Sequence, residues 1–244
     1  MKLIEWVRGP IITFAVFFAI FSGLTSKVTA TNDTTLRIMQ DNRVALTCEG
    51  SVTEGDQTFT HWGGQGTVIK VDEYGTWILT ARHVAQGTSF CIAMFNDYSQ
   101  HIAISSPKLL FQNTDLAFML VPKLYWPTHA HIAPLKYYNP LSVWGNVHSA
   151  FIQSLDGGVT IGFTFDDNVY RGVALGPVPE ILEDQALNGE RHLVFSNVFS
   201  IPGSSGGGVY DEEGNVVGVV VRGNYMSEHM TMIVDVLQTL KEDR

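Results

Sequence analysis

The sequence predicts an all-β protein made of two β-rich units of similar size and closed by a short C-terminal helix. Three observations carry this. Short β-branched and aromatic runs alternate with turn residues, among them 23 glycines and 9 prolines. Charged residues make up 16% of the chain against 45% hydrophobic, so 244 residues can bury a large core. Pro122, Pro127, Pro134 and Pro140 crowd between the two sets of runs, at a density that interrupts strands. The same composition excludes disorder and fibrous repeats.

Residues 1–30 stand apart from this pattern. Lys2 and Arg8 precede the apolar run 11–21, no charge follows until Lys27, and Val28-Thr29-Ala30 puts small residues where a signal peptidase reads. Cleavage after Ala30 and export, to the exterior or the periplasm, are expected. The alternative is a retained anchor over residues 11–26, the one route by which the chain meets a membrane. Cleavage removes three bases (Lys2, Arg8, Lys27) and one acid (Glu5) from totals of 15 and 24, leaving a 214-residue domain of net charge −11. Such a field repels a phosphate backbone and argues against nucleic acid as a partner. The only two cysteines, Cys48 and Cys91, lie in the exported part, where oxidising conditions favour a disulfide between them. Two separate buried thiols are the alternative.

The first β unit, residues 31–125, has strand patterns at 44–47, 66–71, 77–80, 89–95, 101–105 and 116–121, with Asp72-Glu73-Tyr74-Gly75 as a hairpin turn. Residues 126–140 form the Pro-rich crossing segment. The second unit, 141–244, has strand patterns at 150–154, 159–165, 169–175, 192–196, 207–210 and 216–221, with a turn at 211–215. Ile233, Val236, Leu237 and Leu240 then recur at three and four residues, the period of one helix face. No internal repeat or low-complexity tract is present.

Chemistry concentrates in Pro202-Gly203-Ser204-Ser205-Gly206-Gly207-Gly208, between two apolar stretches. Flanking glycines let the main chain bare a hydroxyl and leave room for a carbonyl to approach it, which makes Ser205 the candidate nucleophile. A flexible Gly/Ser loop is the plain alternative. Serine needs a base. In Trp77-Ile78-Leu79-Thr80-Ala81-Arg82-His83-Val84 a buried apolar strand ends just before an imidazole, a setting that the other seven histidines lack. The carboxylate to hold that base is expected at Asp115, which opens the apolar run 116–121; Asp97 competes but has no apolar run behind it.

The order His83, Asp115, Ser205, with Gly66-Thr67-Val68-Ile69, Thr80-Ala81-Arg82-His83-Val84, Asp115-Leu116-Ala117 and Gly203-Ser204-Ser205-Gly206-Gly207, resembles the chymotrypsin-like (trypsin-like) serine proteases over residues 60–225. The HtrA-type branch looks nearest, from the turn leading into Val217-Gly218-Val219. The resemblance implies two six-stranded antiparallel β-barrels, with His83 and Asp115 from the first and Ser205 from the second. It implies an oxyanion hole from the backbone N–H groups of Gly203 and Ser205, and endoproteolysis of polypeptides through an acyl-enzyme. It also implies an S1 pocket from Phe199 to Pro202 and from Val219 through Val220 and Val221 to Arg222. No carboxylate stands near Phe199, so an apolar P1 residue is expected rather than Lys or Arg. The chain departs from the digestive members at Ser204, where they carry Asp, and in having no Ile-Val-Gly-Gly start, which argues against their zymogen activation. No PDZ-like module is expected after the helix.

No metal or cofactor is expected, because this chemistry needs none; His129-x-His131 with His148 is a poor zinc pattern. Gly203-x-Ser205-x-Gly207 also fits an α/β-hydrolase elbow, but 39 residues after Ser205 cannot hold the rest of that fold. The alternative of a different class is a silent protease-like domain that binds proteins.

Overall fold

A computed structural model describes residues 33–95, 101–104, 109–122, 129–134, 160–165, 168–177, 193–196, 200, 202–223 and 231–242. All of these fall in the unit Asp33–Arg244. The expected signal segment, the strand pattern at 150–154, and Asp97, His148 and Phe199 lie outside the described residues.

The described residues begin with helix α1 (Asp33–Asp41) and continue through β1 (Arg43–Glu54), β2 (Gln57–Asp72) and β3 (Gly75–Thr80). A helical turn α2 (Arg82–Ala85) precedes β4 (Thr88–Phe95), β5 (His101–Ile104), β6 (Leu109–Leu110) and β7 (Ala117–Pro122). These strands form one antiparallel sheet in the order β5-β4-β1-β2-β3-β7-β6. Strand β4 shows why it folds so. Its side chains alternate, with Cys91, Ala93 and Phe95 fully buried and their neighbours facing outward, the two-residue period of a half-buried strand. Cys48 of β1 sits directly opposite Cys91, and the two are joined by a disulfide. With a sequence separation of 43, the cross-link contributes about 4 kcal/mol by the loop-entropy relation.

The second sheet comprises β8 (His131–Ile132), β9 (Thr160–Phe165), β10 (Asn168–Pro177), β11 (Leu193–Ser196), β12 (Gly208–Tyr210), β13 (Asn215–Gly223) and β14 (Thr231–Asp235). Its order is β12-β9-β10-β11-β14-β13-β8, and β12 also pairs with β13. Six strands are therefore paired in a ring, with β8 added in parallel beside β13. The Pro-rich crossing segment thus contributes a short strand of its own to the second sheet. Helix α3 (Val236–Glu242) ends the described chain.

Three elements differ from the sequence reading. Strands β1 and β2 run on to a hairpin tip at Gly55, well past the apolar runs at 44–47 and 66–71, because their outer ends are exposed and polar. Cross-strand pairing holds that ribbon, as in the Thr53–Thr58 hydroxyl contact of 3.3 Å. Ile233 belongs to strand β14, not to the terminal helix. It and Val234 are both fully buried between β11 and β13, so the strand reads as a continuous apolar run and its period is ambiguous. The helix starts at Val236, with the Asp235 carboxylate accepting from Gln238 N–H at 2.9 Å as a cap. Helix α1 was not expected. Its buried Thr35, Ile38 and Met39 share one face, and Thr35 Oγ1 donates to the Glu212 carbonyl at 2.6 Å, tying this helix to the β12–β13 turn.

The sheets meet through β2. Thr67 of β2 and Tyr210 of β12, both buried, share a hydrogen bond, and burial pushes the Tyr210 phenol well above its ordinary range, so it stays neutral.

Candidate active site

Thr80 ends β3, and the chain turns at once into α2. Ala81, Val84 and Ala85 bury one face of that turn, while Trp62 Nε1 of β2 donates to the Val84 carbonyl at 2.8 Å. The opposite face, with His83, is left out of the core: its side chain is 44% exposed. The candidate base His83 therefore sits on a helical turn rather than on the strand end itself.

Asp115 lies in the bend just before β7 and is 1% exposed. Its two oxygens both accept from His83, Oδ1 from the backbone N–H at 2.7 Å and Oδ2 from Nδ1 at 2.5 Å. An ionised carboxylate can only accept, so Nδ1 carries the proton and Nε2 is left as the basic nitrogen. Burial pushes the Asp115 carboxyl up, but the hydrogen bond and charge of His83 pull it down further, and the net direction is below its ordinary value.

Ser205 is presented by a turn that only glycine can complete. Gly206 has φ +87°, and a Cβ there would meet the Gln65 carbonyl at 2.0 Å and Thr80 Oγ1 at 2.3 Å. Gly206 N–H donates to the Val220 carbonyl at 2.7 Å, and Val220 N–H to the Gly207 carbonyl at 3.0 Å, which anchors the turn to β13. Gln65 N–H of β2 donates to the Ser205 carbonyl at 2.7 Å, which anchors it to the first sheet. Thr80 Oγ1 in turn donates to the Gln65 carbonyl at 2.6 Å. Gly64 makes the approach possible: a Cβ there would meet Val84 Cγ2 at 2.6 Å and the Ser205 carbonyl at 2.8 Å. The residue after the histidine and the serine itself thus pack on one glycine.

The structure therefore joins His83 and Asp115 directly and brings the Ser205 turn onto the strand that supports them. Among the described residues, the bond from Ser205 Oγ runs to the Val221 carbonyl at 3.5 Å, and none runs to His83. Gly203 has φ +93°, and among the described residues its N–H and that of Ser205 have no acceptor. Of the expected pocket residues, Val219 and Val221 lie in the apolar core, Val220 is equally buried, and Arg222 is partly exposed. No group of three or more His, Cys, Asp or Glu side chains among the described residues is placed to hold a metal ion. Sequence reasoning gave no role to Gln65, which locks the nucleophile turn to β2 through its backbone, where side-chain identity carries no signal.

A family model described as a trypsin-like peptidase domain matches residues 64–219. No curated protein matches the chain. Among solved structures, a variant of the HtrA-type protease AlgW with a decapeptide is similar with a TM-score of 0.63 at 16% identity, over 86% of this chain and 64% of that one. AlgW with a tripeptide gives 0.60 at 16% identity, over 86% of this chain and 62% of that one. The Rv3671c protease from M. tuberculosis in its active form gives 0.59 at 16% identity, over 88% of this chain and 85% of that one. The chain spans less than two thirds of the AlgW chains it matches. At such identities the structural likeness speaks for the fold, and the match over residues 64–219 speaks for the family: the chain belongs to the trypsin-like peptidase domain family, within the chymotrypsin-like serine protease superfamily.

Proposed function

We propose that the domain is an exported serine endopeptidase that cleaves polypeptides through an acyl-enzyme, with Ser205 as nucleophile, His83 as general base and acid, and Asp115 as the group that fixes the His83 tautomer. The observation that carries this is the paired contact of Asp115 with His83, on a turn packed against the same strand that grips the Ser205 carbonyl. In attack, the Ser205 hydroxyl turns from the Val221 carbonyl toward His83 Nε2, which takes its proton as Oγ bonds the scissile carbonyl carbon. The developing oxyanion is received by the N–H groups of Gly203 and Ser205, worth a few kcal/mol per donor. The imidazolium, held by Asp115, then protonates the leaving amine, and water repeats the sequence to release the acid. The positive φ of Gly203 supports this assignment of the hole.

The Ser205–Val221 contact favours a second reading, a silent domain that binds polypeptides without turnover. Peptide libraries separate the two. The mature domain is expected to cleave after small or medium apolar residues at least about tenfold faster than after Lys or Arg, the discrimination that one apolar pocket supplies. Preference for a basic P1 residue would contradict the pocket assignment, and binding without any cleavage would favour the silent domain. Export with removal of residues 1–30 is part of the proposal and rests on the N-terminal sequence.

A further inference from the structure

Arg82, next to the catalytic histidine in sequence, has no part in the proton transfers above. Its Nη1 donates to two successive carbonyls, Phe111 O at 2.8 Å and Gln112 O at 2.7 Å. Both belong to the bend that carries Asp115. That bend is closed on itself, because Phe111 N–H donates to the Leu116 carbonyl at 3.1 Å. Its ends are fixed in the core: Phe111 is 6% exposed and packs edge-to-face on Phe118 of β7 with ring centroids 5.6 Å apart, and Leu116 is fully buried. Between these ends, residues 112–115 have no regular strand or helix bonding to place them.

We infer that Arg82 is a positioning residue that clamps the Asp115 bend to the histidine-bearing turn, setting the distance between the Asp115 carboxylate and His83. The inference rests on the peptidase reading of the site. Two consecutive residues of α2 grip one bend at two places: Arg82 holds its carbonyls at 111 and 112, and His83 binds its carboxylate at 115. Without the Arg82 contacts, residues 112–115 are held only at their two fixed ends and by the carboxylate, and a shift of the backbone between those ends lengthens the Nδ1 to Oδ2 contact. The guanidinium suits the task because it presents several N–H donors in a fixed fork and has no acceptor that could compete for the imidazole proton. Its charge is also among the influences that hold Asp115 ionised. A displacement of about 1 Å within a catalytic group is enough to cost about a hundredfold in rate.

The test compares the full domain with Arg82→Met and Arg82→Lys. One readout is proton NMR of the downfield His83 Nδ1–H resonance; the other is steady-state hydrolysis of the best library peptide. Arg82→Met is expected to move that resonance upfield or broaden it, and to lower kcat about tenfold to a hundredfold with KM within twofold. Arg82→Lys keeps a cation able to reach one carbonyl and is expected to recover part of both. If a folded Arg82→Met protein keeps the wild-type resonance, or loses only KM, the inference is overturned. If Arg82→Met does not fold, Arg82→Lys decides: wild-type resonance and kcat overturn the inference, and an intermediate shift with reduced kcat upholds it. The resonance does not depend on turnover, so a protein without peptidase activity still tests the clamp while the functional reading fails separately.

Discussion

Ser205→Ala is expected to lower kcat for peptide hydrolysis by at least about 10⁴-fold while leaving KM within a few-fold and the fold unchanged. The substitution removes one oxygen whose hydrogen bond to the Val221 carbonyl is 3.5 Å long, so little stability is at stake. The turn that presents it is held by backbone bonds from Gln65, Gly206 and Val220, none of which involves the hydroxyl. On the proposed mechanism, what is lost is the covalent intermediate, and with it the hydroxyl proton that His83 would take. Steady-state kinetics beside circular dichroism of both proteins checks this. Residual turnover within about tenfold of wild type would move the nucleophile elsewhere, with the buried Ser204 next to it as the first place to look.

The second large effect belongs to Asp115→Asn, expected to lower kcat by about 10⁴-fold at neutral pH. An amide presents only one acceptor oxygen where the carboxylate now accepts from both the backbone N–H and Nδ1 of His83. If its nitrogen faces the ring, Nδ1 must accept and the proton moves to Nε2, where it blocks removal of the serine proton. The same substitution has a signature in stability. The folded Asp115 carboxyl lies below its ordinary value, so its ionised form stabilises the native state above the unfolded carboxylate range, and that contribution is lost as pH falls through the folded value. Thermal melts of wild type and Asp115→Asn are therefore expected to differ most near neutral pH and to converge on acidification. A gap that widens at low pH would contradict the charge state assigned to Asp115.

Much of the candidate site was legible because its residue types stand in conspicuous places. A hydroxyl among four glycines within six residues, an imidazole just after a buried strand and a carboxylate ahead of an apolar run each stand out from their surroundings. The two-residue period of β4, with its buried Cys91, Ala93 and Phe95, is of the same kind, since burial on one face leaves a trace in residue type. Other features leave none. Gln65 holds the Ser205 turn through its N–H, while its carbonyl accepts from Thr80, and every residue but proline possesses both groups. The outer ribbon of β1 and β2 is mostly exposed, and its apolar residues Val52 and Phe59 stand alone among polar ones, so no run of apolar alternation marks it. Strand β14 is buried on both faces, and its Ile233 falls at a helical spacing from Val236, Leu237 and Leu240. Helix α1 is short, and its docking on the turn after β12 depends on contacts far away in sequence, Thr35 with Glu212 and Ile38 against Gly214.

The catalytic reading finally depends on a property that distances alone do not confer, an activated hydroxyl at Ser205. Labelling the purified domain with a fluorophosphonate, followed by mass mapping of the adduct, measures it without assuming a substrate. The account predicts a single adduct on Ser205 in wild type, its absence in Ser205→Ala and His83→Ala, and a strongly slowed reaction in Asp115→Asn. A folded wild-type domain that acquires no adduct, or acquires it on another residue, would contradict it.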